Sequence, residues 1–275
     1  MCRLGATGRK SIGCQGGLGI YIDAEHKLDL DYAKSVGVNT DDLLLHRPDL
    51  KASMRVIFKT IGVALGSVDV FELTPEKPLV VIIDSMNNLL TDKQLEADFE
   101  SVKFGPQARE MSEHLPTLLR MIAGKPVALV FVSQWREKLG LFYTGKNKVA
   151  CGNAPKFYNA LTIELRRTET VKISGKKAGI DVKATIIKSS ISKPFSECSL
   201  DIVWGHGFNQ DKALFDLAAD FGIIEKPKAG MYSATWKGKE LKWGIRQLGW
   251  ADKNPGFIKH LRSKINLEWK KRGKR

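Results

Sequence analysis

Three apolar runs in the sequence end in polar side chains that suit nucleotide chemistry. The runs and the residues that follow them are 20–22 with Asp23 and Glu25, 79–83 with Asp84 and Ser85, and 127–132 with Ser133 and Gln134. The carboxyl ends of parallel strands meet at one edge of a sheet, where ligands bind. Two carboxylates and an amide there suit nucleotide hydrolysis: one carboxylate holds magnesium, another polarises water and the amide senses the γ-phosphate. A single acid after a strand is also a common helix cap, so the inference needs all three runs.

The elements that must position these residues are predicted from hydrophobic periodicity. Helical patterns cover 30–36, 52–65 and 112–122, and the shorter runs 43–45, 162–165 and 182–187 have the composition of further strands. The last of these alternates as an edge or antiparallel strand does. Continuous apolar strands separated by helices predict an α/β fold with a mainly parallel sheet covered by helices on both faces.

The positive charge of the chain is concentrated near its C-terminus. The net charge is +14, and residues 225–275 hold fifteen Lys and Arg against four Asp and Glu. Trp236, Trp243, Trp250 and Trp269 are interleaved with these charges, and we expect them to fill the core of a small module. A basic module indicates a polyanionic partner, most simply nucleic acid, although a solvated basic surface is the alternative.

Composition also argues against several classes of protein. No apolar run approaches the ~20 residues that a membrane helix needs, and the first residues lack the apolar segment of a secretory signal. The cysteines at 2, 14, 151 and 198 form no C-x-x-C pair, which indicates reduced thiols and neither a zinc site nor a disulfide framework. We expect a soluble cytoplasmic protein that does not engage a membrane.

The motifs "YIDAEH", "LDLDYAKSVGV", "VVIIDS", "FVSQWREKLG", "GNAPKFYNALTIELRR" and "SISKPF" resemble, in order, segments of bacterial RecA recombinases. The similarity covers about 19–261 and is loose enough to suit a bacteriophage member. It implies a RecA-like ATPase core with DNA-binding loops at 18–207 and a small basic α/β DNA-binding domain at 208–275. Residues 1–17 are then an atypical N-terminal remnant.

The resemblance implies catalytic roles, with ATP and Mg²⁺ as cofactors. Glu25 matches the glutamate that activates the water attacking the γ-phosphate. Asp84, with Ser85 beside it, matches the Walker B aspartate that is linked to magnesium. Gln134 matches the glutamine that couples the γ-phosphate to a mobile DNA-binding loop.

Three further residues are implied to contact nucleotide. Asp29 and Tyr32 match residues that contact adenine, the tyrosine by stacking on the base. Lys188 matches a lysine that reaches across the subunit interface to the neighbour's γ-phosphate. The lysine that usually follows two residues later is Ser190 here, which puts activation across that interface in question.

The resemblance also implies single-stranded and double-stranded DNA as partners. Two loops, 97–104 and 135–152, fall where the family binds single strands, and the C-terminal domain gathers duplex. The residues expected to contact DNA are Arg109, Arg136, Lys138, Phe142, Tyr143, Lys146, Lys148 and Lys156. Cations contact phosphates and aromatic rings stack on bases.

The phosphate-binding motif G-x-x-x-x-G-K-[ST] is the main departure from the family pattern. Gly-Lys pairs begin at 124, 145, 175, 238 and 273, and none is followed by Ser or Thr. The nearest approach is "GATGRKS" at 5–11, with Lys10 and Ser11 as candidate phosphate ligands. The family's N-terminal docking helix and strand have no counterpart, so we expect a frameshift, a split gene or a wrong start, and a weakened homo-oligomeric filament.

Two functions follow from these matches and departures. The first is a RecA-type recombinase that binds single-stranded DNA with ATP and exchanges homologous strands in recombination and repair. The second is an ATPase-deficient DNA-binding remnant or accessory subunit of a recombinase. A hexameric helicase of the same core fold is disfavoured, because the second loop and the C-terminal module match RecA.

Overall fold

The structure of the protein is a computed structural model that describes residues 17–49, 51–66, 72–96, 106–134, 154–228 and 230–272. The chain forms two compact units that divide between Ala160 and Leu161. The domain boundaries expected from the sequence, 1–17, 18–207 and 208–275, stay a prediction.

The first unit is built around a parallel sheet. Its elements are β1 (Leu18–Asp23), α1 (Leu30–Ser35), β2 (Leu43–His46), α2 (Met54–Gly66), β3 (Leu79–Asp84), a 3₁₀ helix (Met86–Asn88), α3 (Asp92–Glu96), α4 (Pro106–Ile122), β4 (Val127–Phe131) and α5 (Ala154–Tyr158). Within the described ranges, four strands pair in parallel in the order β2-β1-β3-β4. The predicted α/β fold with a mainly parallel sheet is confirmed.

Alternate residues of the central strand β3 form the core of this unit. Leu79, Val81 and Ile83 are at most 1% exposed, since successive strand residues point to opposite faces of a sheet. They belong to one apolar cluster with side chains of α2 and α4, such as Ile61 and Leu115. Burial of each such side chain contributes about 1.5–3 kcal/mol, which fixes β1, β3 and β4 side by side.

The second unit consists of two antiparallel sheets with helices. Its elements are β5 (Leu161–Ile173), β6 (Lys176–Ser189), β7 (Glu197–Val203), β8 (Gly207–Phe208), α6 (Gln210–Asp220), β9 (Glu225–Lys228), β10 (Met231–Trp236), β11 (Lys239–Gly244), α7 (Trp250–Lys253) and α8 (Pro255–Arg272). The sheet orders in the described chain are β5-β6-β7-β8 and β11-β10-β9. The alternating run at 182–187 lies in β6, which pairs antiparallel with both β5 and β7.

The C-terminal module, defined as α6, β9–β11, α7 and α8, has an aromatic core. The indoles of Trp243 and Trp250 stack with centroids 4.2 Å apart, and Phe215 meets both edge-on. Trp236 is partly buried and packs against the same cluster. The expectation that all four tryptophans fill the core is wrong for Trp269, which is 61% exposed and contacts only the margin of the cluster, at Phe221.

No helix in the described ranges is both long enough and apolar enough to cross a membrane.

Candidate functional site

The ends of β1, β3 and β4 lie next to one another and form what we call the carboxyl edge. Asp23 at the end of β1 is in register with Asp84 at the end of β3. Ile83 of β3 is in register with Phe131, the last residue of β4. The polar residues that follow the three apolar runs are therefore delivered to one edge of the sheet, as their positions in the sequence predict.

Glu25 and Ser85 are brought into direct contact at this edge. The Ser85 hydroxyl donates a hydrogen bond of 2.7 Å to Glu25 Oε1, and the Lys27 ammonium donates one of 3.0 Å to Oε2. Ser85, followed by Lys27, lowers the pKa of Glu25 below its ordinary value. The Glu25 side chain is only 14% exposed. It is thus a fixed, ionised carboxylate at neutral pH.

Asp23 has a different role from Glu25, although both follow the same strand. The backbone N–H groups of Lys27 and Leu28 donate to its two carboxylate oxygens at 3.1 and 3.0 Å, and Arg47 Nε donates at 3.1 Å. Burial raises the pKa of Asp23, but the three donors together lower it by more than burial raises it. The net pKa of Asp23 therefore lies below its usual range. Asp23 therefore shapes the turn that carries Glu25.

Asp84 accepts a hydrogen bond from the Tyr21 hydroxyl through Oδ2. Burial, together with this contact, raises the pKa of Tyr21 above its ordinary value, so the phenol remains a donor. In the ranges described, no group of three or more His, Cys, Asp or Glu side chains is placed to hold a metal ion. A magnesium–nucleotide complex needs only one or two protein carboxylates, because phosphates and waters complete its shell. Asp84 fits that requirement.

Asn87 is a residue of this edge that the sequence analysis missed. Its Oδ1 accepts from the Gln134 backbone N–H at 2.9 Å and from the Ser133 hydroxyl at 3.3 Å, and its Nδ2 donates to the Gln134 carbonyl at 3.4 Å. Residue type alone does not identify it, because the adjacent Asn88 is also an asparagine. Asn87 holds the backbone of Gln134 at the edge.

A cleft of about 320 Å³ lies beside the turn that carries Glu25. Ala24 and His26, which flank Glu25, line it together with Asn87 and Pro48. A ring nitrogen of His26, Nε2, lies 2.7 Å from the Pro48 carbonyl oxygen. The carboxyl edge thus borders accessible space.

Asp29 and Tyr32 lie on one turn at the start of α1. Asp29 is the N-cap, and its Oδ1 accepts from the Tyr32 backbone N–H at 2.9 Å. A cap of this kind satisfies an N–H group that the helix leaves unpaired. The Tyr32 side chain is 49% exposed, so its ring has a face accessible for stacking.

The other predicted residues lie on other elements or outside the described ranges. Arg109 is an exposed residue of α4, and its Nε donates to Glu113 at 3.0 Å. Lys156 is exposed on α5, and Lys188 lies in β6 opposite Thr162. The predicted residues outside the described ranges are Lys10, Ser11, Arg136, Lys138, Phe142, Tyr143, Lys146 and Lys148. The predicted loop at 97–104 also lies outside them.

The first unit belongs to the class of α/β folds that bind ligands at the carboxyl edge of a parallel sheet. The family model described as "RecA N-terminal domain" matches residues 9–209. Protein RecA of Syntrophus aciditrophicus (strain SB) is 34% identical over 215 residues, which is 78% of this chain and 60% of that protein. Protein RecA of Aquifex pyrophilus is 32% identical over 235 residues, covering 86% of this chain and 62% of that protein.

The chain belongs to the RecA family. It spans about 60% of the length of the curated relatives described above. A crystal structure of the RadB recombinase superimposes with a TM-score of 0.47 at 15% identity, covering 70% of this chain and 78% of that one.

Proposed function

We propose that the protein is a RecA-type recombination protein that binds single-stranded DNA in the cytoplasm, with ATP and Mg²⁺ as cofactors. The observation that carries the proposal is the convergence of Glu25, Asp84 and Gln134 on the ends of three adjacent parallel strands. RecA relatives over most of the chain support it.

Each residue of the edge has a proposed role towards nucleotide. Bound Mg²⁺–ATP supplies the phosphoryl group and the charge that neutralises it. Asp84 would hold the metal, and Glu25, kept ionised by Ser85 and Lys27, would orient the attacking water. Gln134 follows β4 at the point where the 135–152 segment begins.

Three more residues are proposed to contact adenine or the nucleotide of the neighbouring subunit. Asp29 caps α1, and the half-exposed ring of Tyr32 stacks on the base. Lys188 reaches the nucleotide of the neighbouring copy in a homo-oligomeric filament. This last role depends on filament assembly, which a mixing experiment with labelled subunits measures.

The proposed DNA contacts fall into two groups. Arg109, Lys156 and the cations of 135–152 bind the phosphates of a single strand. The basic C-terminal module gathers duplex through phosphate contacts that do not read base edges. The 44 Lys and Arg against 30 Asp and Glu supply the attraction.

The second candidate function is a DNA-binding accessory subunit without its own ATP turnover. The observation that favours it is that no Gly-Lys pair in the sequence is followed by Ser or Thr. Backbone amides and a lysine around the β- and γ-phosphates are what Glu25 and Asp84 need to act on. If the protein is such an accessory subunit, its DNA-stimulated ATP hydrolysis is near background. Turnover that DNA stimulates and Glu25→Gln abolishes would instead assign it a complete ATPase site.

DNA binding itself is tested by titrating a labelled single-stranded oligonucleotide at several salt concentrations. With the six proposed phosphate contacts, affinity falls roughly 300-fold between about 50 and 200 mM salt. Arg109→Gln reduces the slope by about 0.7. Arg120→Gln, at the other end of α4 and also exposed, is the matched control and leaves it unchanged. A salt-independent affinity would contradict the electrostatic model.

A further inference from the structure

The pairing between β3 and β4 continues beyond the last residue of each strand. The Val132 N–H donates to the Ile83 carbonyl at 3.0 Å, and the Met86 N–H donates to the Val132 carbonyl at 2.9 Å. At Met86 the backbone enters the 3₁₀ helix. From that point its peptide groups point along the helix and no longer towards the chain that follows β4.

Beyond the last backbone hydrogen bond between these two segments, the next contact is made by the Asn87 side chain. A primary amide carries one carbonyl acceptor and an N–H donor, as a peptide group does. Asn87 uses both on Gln134, accepting from its N–H at 2.9 Å and donating to its carbonyl at 3.4 Å. Asn87 is 8% exposed, and a buried amide left without these partners is costly. The contact therefore extends the sheet by one residue, through a side chain.

The same short stretch contacts Glu25. Ser85 donates to Glu25 at 2.7 Å, and Asn87 follows two residues later on the 3₁₀ helix. A continuous path thus runs from the Glu25 carboxylate through Ser85 and Asn87 to the backbone of Gln134. Contiguous hydrogen bonds and rigid elements of this type can carry energetic coupling between two sites.

We propose that Asn87 is a positioning residue that fixes the Gln134 backbone to the carboxyl edge, and that binding of single-stranded DNA by this protein depends on that contact. This rests on the proposed function, because it takes single-stranded DNA as the ligand. Asn87 acts through Gln134 and Ser133 and does not itself touch nucleotide or DNA.

The test compares three variants with the unmodified chain. Asn87→Ala removes both bonds to Gln134. Asn87→Asp keeps an acceptor for the Gln134 N–H but loses the donor. Asn88→Ala is the matched control, because Asn88 is the adjacent asparagine of the same 3₁₀ helix and is exposed.

Amide exchange, followed residue by residue by NMR, measures the contact itself. We expect exchange at Gln134 to accelerate about tenfold in Asn87→Ala, to a smaller extent in Asn87→Asp, and not in Asn88→Ala. Unchanged protection of Gln134 in Asn87→Ala overturns the contact. If Asn87→Ala fails to fold, Asn87→Asp decides by the same measurement.

Titration of a labelled single-stranded oligonucleotide measures the consequence. We expect affinity to fall about five- to tenfold in Asn87→Ala, to recover partly in Asn87→Asp, and to be unchanged in Asn88→Ala. Lost protection with unchanged affinity would show that Asn87 is structural only. If the unmodified chain does not bind single-stranded DNA, the proposed function fails and so does the positioning role. Exchange at Gln134 still reports the contact separately.

Discussion

The apolar core of the first unit and the core of the C-terminal module are built from different side chains. Among the described residues of the first cluster, Phe58 is the single fully buried aromatic ring, and the rest are aliphatic or Met. The second cluster buries Phe215, Tyr232, Trp243, Trp250 and Phe257. A small module with few residues needs large rings to bury enough apolar area.

The charges of the two regions are also arranged differently. At the carboxyl edge the donors are aimed at particular oxygens, as Ser85 and Lys27 are at Glu25. On the module most cations lie on the surface, although Lys212 of α6 is buried. The last turn of α8 carries Lys270, Lys271 and Arg272. Fixed donors suit a ligand with defined atoms, whereas dispersed cations suit a polyanion whose sequence is not read.

Two buried aspartates show the contrast in one residue type. Asp23 is held by backbone N–H groups and Arg47, and its pKa is lowered. Asp201 of β7 is held by Arg246 at 3.2 Å and Lys212 at 3.8 Å. Its Oδ1 has no hydrogen-bond partner in the described residues. Burial, together with the neighbouring Asp181 carboxyl, outweighs the two cations and raises the pKa of Asp201. Hydrogen-bond donors, more than burial alone, decide which aspartate is stably ionised.

The largest effect is expected from the aromatic core of the module. Trp243→Ala should destabilise the second unit by about 3–5 kcal/mol, because Trp243 is 1% exposed and contacts Trp250 and Phe257. Trp269→Ala, at the exposed tryptophan, should cost under about 1 kcal/mol. Denaturant unfolding followed by tryptophan fluorescence measures both. Equal losses would mean that the module has no aromatic core distinct from its surface.

The two aspartates should differ when each is replaced by asparagine. Asp23→Asn removes the negative charge that three hydrogen-bond donors contact. It should destabilise the first unit by about 3 kcal/mol. Asp201→Asn should cost only about 1–2 kcal/mol, because Lys212 keeps its 2.8 Å bond to Asp216 and the partly exposed Arg246 is rehydrated. Hydrogen exchange in β1 and β7 reports each unit separately. A larger loss from Asp201→Asn would reverse the comparison.

The pH dependence of the two aspartates has opposite signs. The pKa of Asp23 is lowered on folding, so its contribution is present above the unfolded pKa of about 3.9 and is lost as pH falls through the folded value. The pKa of Asp201 is raised, so its favourable contribution is present below about 3.9 and is lost as pH rises to the folded value. Each asparagine variant should remove its own slope in unfolding measurements between about pH 2 and 7.

Replacing the cations in the last turn of α8 tests whether the surface charge of the module binds duplex DNA. Replacing Lys270, Lys271 and Arg272 by Gln keeps the aromatic core, whereas deleting 225–275 would remove strands and rings that build it. Duplex affinity should fall about tenfold or more, and the salt slope by up to about 2.7. The matched control replaces three exposed lysines of the β5–β6 hairpin, namely Lys172, Lys176 and Lys177. An equal loss in the control would mean that overall charge, and not this module, binds duplex.

The smallest effect is expected from the exposed partner of Glu25. Lys27→Ala removes an ammonium that is 77% exposed, so the loss of stability should be under about 0.5 kcal/mol. The pKa of Glu25 should nevertheless rise, because Lys27 lowers it. NMR titration of the Glu25 carboxyl measures this. A pKa of Glu25 that does not move would assign the whole shift to Ser85.

Periodicity predicted most of the first unit because its strands are continuous apolar runs. The runs at 20–22 and 79–83 are β1 and β3 without their first or last residues, and 112–122 is the C-terminal part of α4. The boundary at Pro106 was missed, since polar residues precede the periodic stretch. Asn87 was missed because its partner, Gln134, lies 47 residues further along the chain. Hydrophobic periodicity carries no information on such a contact.

The sequence by itself determined that parallel strands end in acids and an amide, that positive charge is concentrated near the C-terminus, and that the chain resembles the RecA family. These features depend on residue type and local spacing. Only the tertiary structure decided that Asp23 shapes a turn while Glu25 contacts Ser85 and Lys27. It also decided that Trp269 is exposed while Trp243 is buried, and that Asn87 holds Gln134. Each of these depends on which donors, rings or solvent surround a side chain, and the fold sets those contacts between segments far apart in the chain.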